Sequence, residues 1–315
     1  MALSKTLRPV ILDVDTGIDD AWALVYAAHS PNLELLGVTT VFGNADLETT
    51  TRNTLCMLDL LGANTPVYQG ADRPLLREWA GPVPRYHGDN GLGNATLPPV
   101  SRQAESQHAA QFIREQVRSR AGQITLVTVA RLTNLARALL YEPGLAALID
   151  RVVMMGGAAF CAGNVTAVAE ANIWGDPEAA DIVFRSGVPI TMVGLDVTMQ
   201  ARLRREDLNR LDPALPYAKV LQDASEYYIR AYEQDSPGIH GWCPLHDPLA
   251  VAVADDPSLV GTETFPVRVE TQGQRTDGMT IVDRRDGCAG TGAEVALTLD
   301  IERFLSVFRA RVGMH

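Results

Sequence analysis

The sequence predicts an α/β fold: a single open, mostly parallel sheet with helices on both faces (a Rossmann-like core), and a small antiparallel appendage near the C-terminus. Three observations predict it. Short apolar runs alternate with segments of helical period through the first two thirds of the chain. The runs show no polar alternation, as expected of strands covered on both faces. Hydrogen-bonding and acidic residues collect just beyond the carboxyl ends of those runs, the edge where such sheets carry their sites. No repeat, linker or low-complexity stretch interrupts the 315 residues, so residues 1–315 read as one domain.

The elements follow in order. Val10-Ile11-Leu12 is the core of a first strand that ends in Asp13 and Asp15, two apart and therefore on one face. Thr16-Gly17 turns the chain, and a helix begins at Asp19-Asp20, where acidic residues suit the helix dipole. Residues 33–41 read as the second strand, 46–61 as a helix capped by Asp46, and 67–69 as a third strand. Residues 81–93, rich in Gly, Pro, His and Asp, read as a loop, and 104–119 as a helix. Residues 124–129 make a strand, 133–140 a helix, and 152–155 a strand ending at Gly156-Gly157. Asp176-Pro177 opens a helix that runs to Arg185, with Pro in the first turn, and 190–193 is again a strand. Beyond Arg202 the pattern is helical through residues 221–233. Residues 264–270, 279–282 and 294–299 read as short antiparallel strands, before a last helix at 301–311.

Composition narrows the function. The 27 basic and 38 acidic residues give a net charge of −11, which disfavours a nucleic-acid backbone as partner. No apolar run is long enough for a membrane span, and the first residues carry no secretory signal pattern, so a cytoplasmic protein is expected. Cys56, Cys161, Cys243 and Cys288 are scattered and form no C-x-x-C pair, so reduced thiols and no zinc site are expected.

The stretch Asp13-Val-Asp-Thr-Gly-Ile-Asp-Asp20 holds more carboxylates than capping requires. Packed together they repel, and a hard, oxygen-binding cation is the natural remedy. Asn44, Val129, Met155 and Asp196 stand at the ends of other strands and can meet Asp15 at one edge. Asn164, Glu170 and Asn172 could orient sugar hydroxyls or simply cap the following turn. His246-Asp247 precedes a small apolar helix, and His87 sits in a polar loop. Tyr228 and Tyr232, four apart, share a helix face that could be core or one wall of a planar-base pocket.

These blocks, in this order, resemble the inosine-uridine preferring nucleoside hydrolases. The family's D-x-D-x-G-x-D-D opening is matched by residues 13–20, and further blocks by Thr39-Thr-Val-Phe-Gly-Asn44, His87-Gly-Asp-Asn-Gly-Leu92, Leu132-Thr-Asn-Leu-Ala136, Val153-Met-Met-Gly-Gly157, residues 163–172, Asp176-Pro-Glu-Ala179 and His246-Asp247. The resemblance implies hydrolysis of ribonucleosides to ribose and free base, in a homodimer or homotetramer. It implies a calcium ion (Ca2+) held by Asp15, Asp20, Asp247 and the carbonyl of Val129, with Asp15 taking the proton of the attacking water. Ribose contacts are implied for Asp19, Asn44, Asn164, Glu170 and Asn172, with Met155 lining the sugar site. His246 would serve the leaving base, with His87, Tyr228 and Tyr232 near it. The chain departs from the family where Ala130-Arg131 replace Gly followed by Pro or Gly, and at Ala167 and Ala171, the latter replacing a Phe whose loss widens the base pocket. Two other readings are a non-catalytic nucleoside-binding protein of the same fold and a haloacid-dehalogenase-like phosphatase. The phosphatase signature D-x-D-x-T is broken here by Gly17 at its fifth position.

Overall fold

The computed structural model describes residues 7–285 and 292–315. Cys288 lies outside them. Cys56 and Cys243 are buried and Cys161 is exposed, all three as free thiols.

The strands are β1 (Arg8–Val14), β2 (Leu33–Thr40), β3 (Val67–Gln69), β4 (Thr125–Thr128), β5 (Arg151–Met155), β6 (Ile190–Val193), β7 (Arg202–Arg204), β8 (Trp242–Pro244), β9 (Val260–Val269), β10 (Thr280–Val282) and β11 (Gly292–Leu299). The helices are α1 (Ile18–His29), α2 (Leu47–Leu60), α3 (Pro84–His87), α4 (Ala109–Ser119), α5 (Thr133–Tyr141), α6 (Ala171–Gly175), α7 (Pro177–Arg185), α8 (Leu195–Thr198), α9 (Arg205–Leu208), α10 (Ala218–Asp235), α11 (His246–Asp255) and α12 (Ile301–Val312).

The described residues form a nine-stranded sheet in the order β10-β9-β11-β6-β5-β4-β1-β2-β3, and a separate β7-β8 pair. From β3 across to β11 every neighbouring pair is parallel, while β9 pairs antiparallel with β11 and β10. The expected antiparallel strands are therefore present and prolong the main sheet. At its two ends, single bridges join Tyr68 to Glu105 and Met279 to Ala169.

Strand β1 shows why its sequence is apolar throughout. Val10, Leu12 and Val14 enter one core, with Trp22, Leu24, Leu249 and Phe308 from α1, α11 and α12. Ile11 points the other way, among Phe112, Leu135 and Val183 of α4, α5 and α7. Successive strand residues face opposite layers, and both layers are filled. Helix α1 is buried from Ile18 to Ala27, and its polar atoms are satisfied inside: Trp22 Nε1 donates to Ser225 Oγ at 2.9 Å and Tyr26 Oη to Asp255 Oδ2 at 3.0 Å.

Three local expectations are corrected. The loop at 81–93 contains a helical turn, α3, with Pro84 at its start. Helix α4 begins at Ala109, because the backbone at Glu105 bonds to Val67 at 2.8 Å and His108 caps the helix. After Arg202 the chain first forms strand β7, against β8, before turning helical. Among the described residues no helix is long and apolar enough to cross a membrane.

Candidate active site

The strand order reverses between β1 and β4: β2 and β3 lie to one side of β1, β5 and β6 beyond β4. Loops leaving neighbouring strands part at such a point and open a crevice at the carboxyl edge. Asp15 leaves β1 and Val129 leaves β4, one on each side of it, and Val129 N donates to Asp13 O at 2.9 Å. The crevice deepens into a cavity of about 1080 Å³. Asp15, Asp19, Asn44, Val129, Met155 and Asp247 line its floor. Asn164 and Glu170 line it from the segment before α6 and Asn172 from α6 itself, and His87, Tyr228, Tyr232 and His246 from α3, α10 and α11. Asp20 lies beneath, turned toward the start of α1.

The carboxylates divide into two kinds. Asp19, Asp20 and Asp247 offer oxygens that lie within 4.8 Å of one another, all buried. Asp20 is also the N-terminal lock of α1: Oδ2 accepts from Gly17 N at 2.9 Å and from Asn44 Nδ2 at 3.2 Å, and Oδ1 from Asp15 N at 3.1 Å. Asp15 is held through Oδ2 by Arg131 Nη1 and by Asn44 N at 2.7 Å, while Oδ1 is buried with no partner. Asp13 turns away, accepting from Thr39 and, at 2.8 Å, from Asn134. Gly17 at the head of α1 has no side chain because a Cβ there would stand 2.7 Å from Asn44 Nδ2.

Burial disfavours charge on all of these groups. It pushes Asp19 up to about 7 and Asp15 above the usual carboxylate range, the latter offset by Arg131. Asp20 and Asp247 rise well above it, through burial first and neighbouring carboxylates next. Uncompensated buried charges of one sign are costly. The unpaired Oδ1 of Asp15, the three-carboxylate cluster and the adjacent carbonyl of Val129 together fit a hard divalent cation, which takes six to eight oxygens. Among the described residues no thiolate or pair of imidazoles accompanies them that would favour a softer ion.

Around this floor the donors and acceptors are ordered. Asn172 Nδ2 donates to Val129 O at 3.0 Å and Met155 O at 3.1 Å. Glu170 caps α6 by accepting from Asn172 N at 2.9 Å and Ile173 N at 3.2 Å, and also takes Gly157 N at 2.9 Å. Asn164 Oδ1 accepts from Ala171 N at 3.0 Å. The capping role and the cavity-lining position coexist in Glu170 and Asn164.

The opposite wall is aromatic. Tyr228 and Tyr232 pack edge to face, 4.9 Å between centroids, with Tyr86 5.2 Å from Tyr232 and His87 5.3 Å from Tyr228. A chain of polar atoms runs through it: Tyr228 Oη to Tyr232 Oη at 3.5 Å, Tyr232 Oη to His246 Nε2 at 3.1 Å, and His246 Nδ1 to Thr198 Oγ1 at 2.7 Å. Burial lowers both His246 and His87 to about 3, so both rings are neutral near pH 7. His87 Nδ1 accepts from Ile18 N at 3.2 Å, so its proton sits on Nε2.

Sequence reasoning missed three residues of the site. Arg131 lies inside it, 6% exposed, and the only signal was its departure from the family pattern. Thr198 and Tyr86 gave none, since their parts depend on which elements pack against α10 and α11.

The chain matches, over residues 10–306, the family profile described as "Inosine-uridine preferring nucleoside hydrolase". It is 39% identical to "Uridine nucleosidase 1" of Arabidopsis thaliana, covering 96% of this chain and 92% of that protein. It is 42% identical to "Pyrimidine-specific ribonucleoside hydrolase RihA" of Shewanella sp. (strain ANA-3), covering 94% and 92%. Among solved structures, the purine-preferring ribonucleoside hydrolase from Gardnerella vaginalis superposes with a TM-score of 0.91 at 41% identity, covering 97% of this chain and 98% of that one.

Proposed function

The chain belongs to the inosine-uridine preferring nucleoside hydrolase family, whose members hydrolyse the N-glycosidic bond of ribonucleosides to base and ribose, and on that premise we propose that this protein does so with calcium and by direct attack of water. The observation that most supports the reading is the meeting, at one cavity, of Asp15, Asp19 and Asp247, with Asp20 clustered to the last two from beneath and Oδ1 of Asp15 unpaired. Asp15, Asp20, Asp247 and the carbonyl of Val129 would hold the ion, with Asp19 beside it. When bound, the ion supplies a water of lowered pKa and a grip on vicinal hydroxyls.

The residues then divide the work. Asp15 takes the proton of the attacking water with Oδ1. Asn44, Asn164, Glu170, Asn172 and Asp19 orient the ribose, and Met155 packs beneath it. The buried carboxylates favour the positive charge that develops on the sugar as the bond breaks. The leaving base draws a proton from the His246-Tyr232-Tyr228 chain, with His87 beside it. A neutral His246 serves here by passing a proton on, since its two nitrogens are tied to Thr198 and Tyr232. No carboxylate needs to act as a nucleophile, so the reaction inverts the anomeric centre. Relatives of similar identity are named for uridine, for pyrimidines and for purines, so likeness does not choose the base. The proposal takes the chain as one domain, acting in the cytoplasm as a homodimer or homotetramer, as the resemblance implies.

Ribose release from a panel of nucleosides tests the reading. Exhaustive chelation is expected to abolish release and calcium to restore it. Full activity in protein shown to be metal-free would remove the metal from the proposal, and no release from any nucleoside with calcium present would remove the reaction.

A further inference from the structure

Arg131 is the part of the cavity that this reaction leaves without a role. Its guanidinium is buried beneath Asp15. Nη1 donates to Asp15 Oδ2 and stands 3.5 Å from Asn44 Oδ1 and 3.4 Å from Asn172 Oδ1. The second donor on Asp15, the backbone N–H of Asn44, falls on the same Oδ2. Both donors therefore hold one oxygen and leave the other bare. Turning the carboxylate would break both bonds and strand a buried guanidinium, whose Nε already lacks a partner. The slot is shaped for this side chain: a Cβ on Gly175 would stand 2.7 Å from Arg131 Nε and 2.8 Å from its Cγ. Arg77, another arginine at the cavity, is instead engaged at its rim by Glu178 and Asp277.

We propose that Arg131 is a positioning residue for nucleoside hydrolysis: it pins Asp15 by Oδ2 so that Oδ1 alone faces the water and the ion, and it ties Asp15 to the two asparagines that meet the ribose. The inference rests on the hydrolase reading above. A carboxylate can bind calcium through one oxygen or both. Released from Arg131, Asp15 is free to turn and grip the ion with both, which draws Oδ1 off the line to the water it must deprotonate. Ion binding and turnover then separate. Loss of the guanidinium removes a positive charge beside the ion and so does not weaken calcium binding, while the chemical step slows. A lysine would keep the charge, but its flexible stem would not hold a nitrogen where the planar guanidinium fixes Nη1, which alone meets all three oxygens.

The test uses the whole protein with Arg131→Met and Arg131→Lys, and follows calcium affinity by titration calorimetry, metal-free Tm, and kcat and KM for ribose release. Arg131→Met is expected to bind calcium at least as tightly as the parent while kcat falls about 10²-fold, the cost of a misplaced reacting group. Arg131→Lys is expected to regain part of that kcat with unchanged calcium affinity, and it keeps the test open if the Met variant does not fold. A kcat within about threefold of the parent in Arg131→Met, or parallel loss of calcium binding and turnover in both variants, would overturn the proposal; the latter makes Arg131 a structural counter-ion. A parent protein that binds calcium but releases no ribose removes the hydrolase reading itself, before either variant is compared.

Discussion

Asp15 and His246 are proposed to serve the two ends of the bond that breaks, and the leaving group separates them. Every substrate needs water to be deprotonated. Only a poor leaving group needs a proton, and a p-nitrophenyl riboside departs without one. Asp15→Asn is expected to disable both the aryl riboside and inosine. His246→Ala is expected to lower inosine hydrolysis by about the 10²–10⁴-fold of a general acid and to leave the aryl riboside largely intact. Steady-state kinetics on both substrates check this, and equal loss of both in His246→Ala with calcium still bound would make His246 a support for its neighbour Asp247. At this scale much of the candidate site could be read beforehand, because Asp15, Asn44, Val129 and Met155 sit in short blocks tied to strand ends, whereas Tyr228 and Tyr232 showed only a shared helix face. Arg131 could be noticed but not understood. Its meaning lies in which oxygen of Asp15 it occupies, and sequence carries no such angle.

Helices and strands were legible where one physical signal decided them. The run that became β6 is bounded by Pro189 and Gly194 and buried throughout. Strand β7 is an Arg-Leu-Arg triplet, too short for alternation to register, and it exists because Trp242–Pro244 lies beside it. The false start of α4 has the same origin: residues 104–108 suit a helix by propensity, but their backbone is used against β3. Asp176 gives this scale its prediction. It caps α7 by accepting from Ala179 N at 3.1 Å, and also accepts from Leu75 N at 2.9 Å and Thr133 Oγ1 at 2.7 Å, clasping α5, α7 and the loop after β3. Asp176→Ala strands these donors in a buried place and is expected to cost about 3 kcal/mol, a lost cap together with charge-assisted bonds. Urea unfolding measures it. The side chain stands outside the cavity, so kcat of the folded fraction is expected to hold.

For the molecule as a whole, the carboxylate floor makes stability depend on pH and on calcium. Burial raises Asp13 and Asp19 from 3.8 to about 7, and Asp20 and Asp247 also rise. Without metal, the folded state keeps protons that the unfolded chain releases, so this stability is full below 3.8 and is lost as pH rises through about 7. His87 and His246, lowered from 6.5 to about 3, act in reverse: their contribution is lost as pH falls from 6.5 toward 3. From about pH 8 down to 7 both histidines stay mainly neutral, folded or unfolded, and the carboxylates dominate the slope. Calcium-free protein is therefore expected to gain Tm over that descent, and calcium, which keeps the carboxylates ionised, to flatten the gain. At a hundredfold excess over Kd the ion should add about 2.7 kcal/mol, or about 4 °C for a chain this long. Calorimetric scans at the two pH values, with chelator and with calcium, check both; a flat calcium-free Tm would count against unpaired carboxylates.

The single bridges at the two ends of the sheet bear on how copies of the chain can meet. A wide sheet exposes at each margin a row of unpaired N–H and C=O groups that can template a foreign strand. Here the marginal strands β3 and β10 are three residues each, and a passing loop already occupies the outer side of Tyr68 and of Met279, next to β10. The flank of β9 beyond the reach of β10 carries Thr262, Glu263 and Thr264, exposed and partly charged. Neither margin invites strand-to-strand polymerisation. Subunits of a homo-oligomer that met through helices and loops would each keep their own sheet, crevice and floor of carboxylates whole.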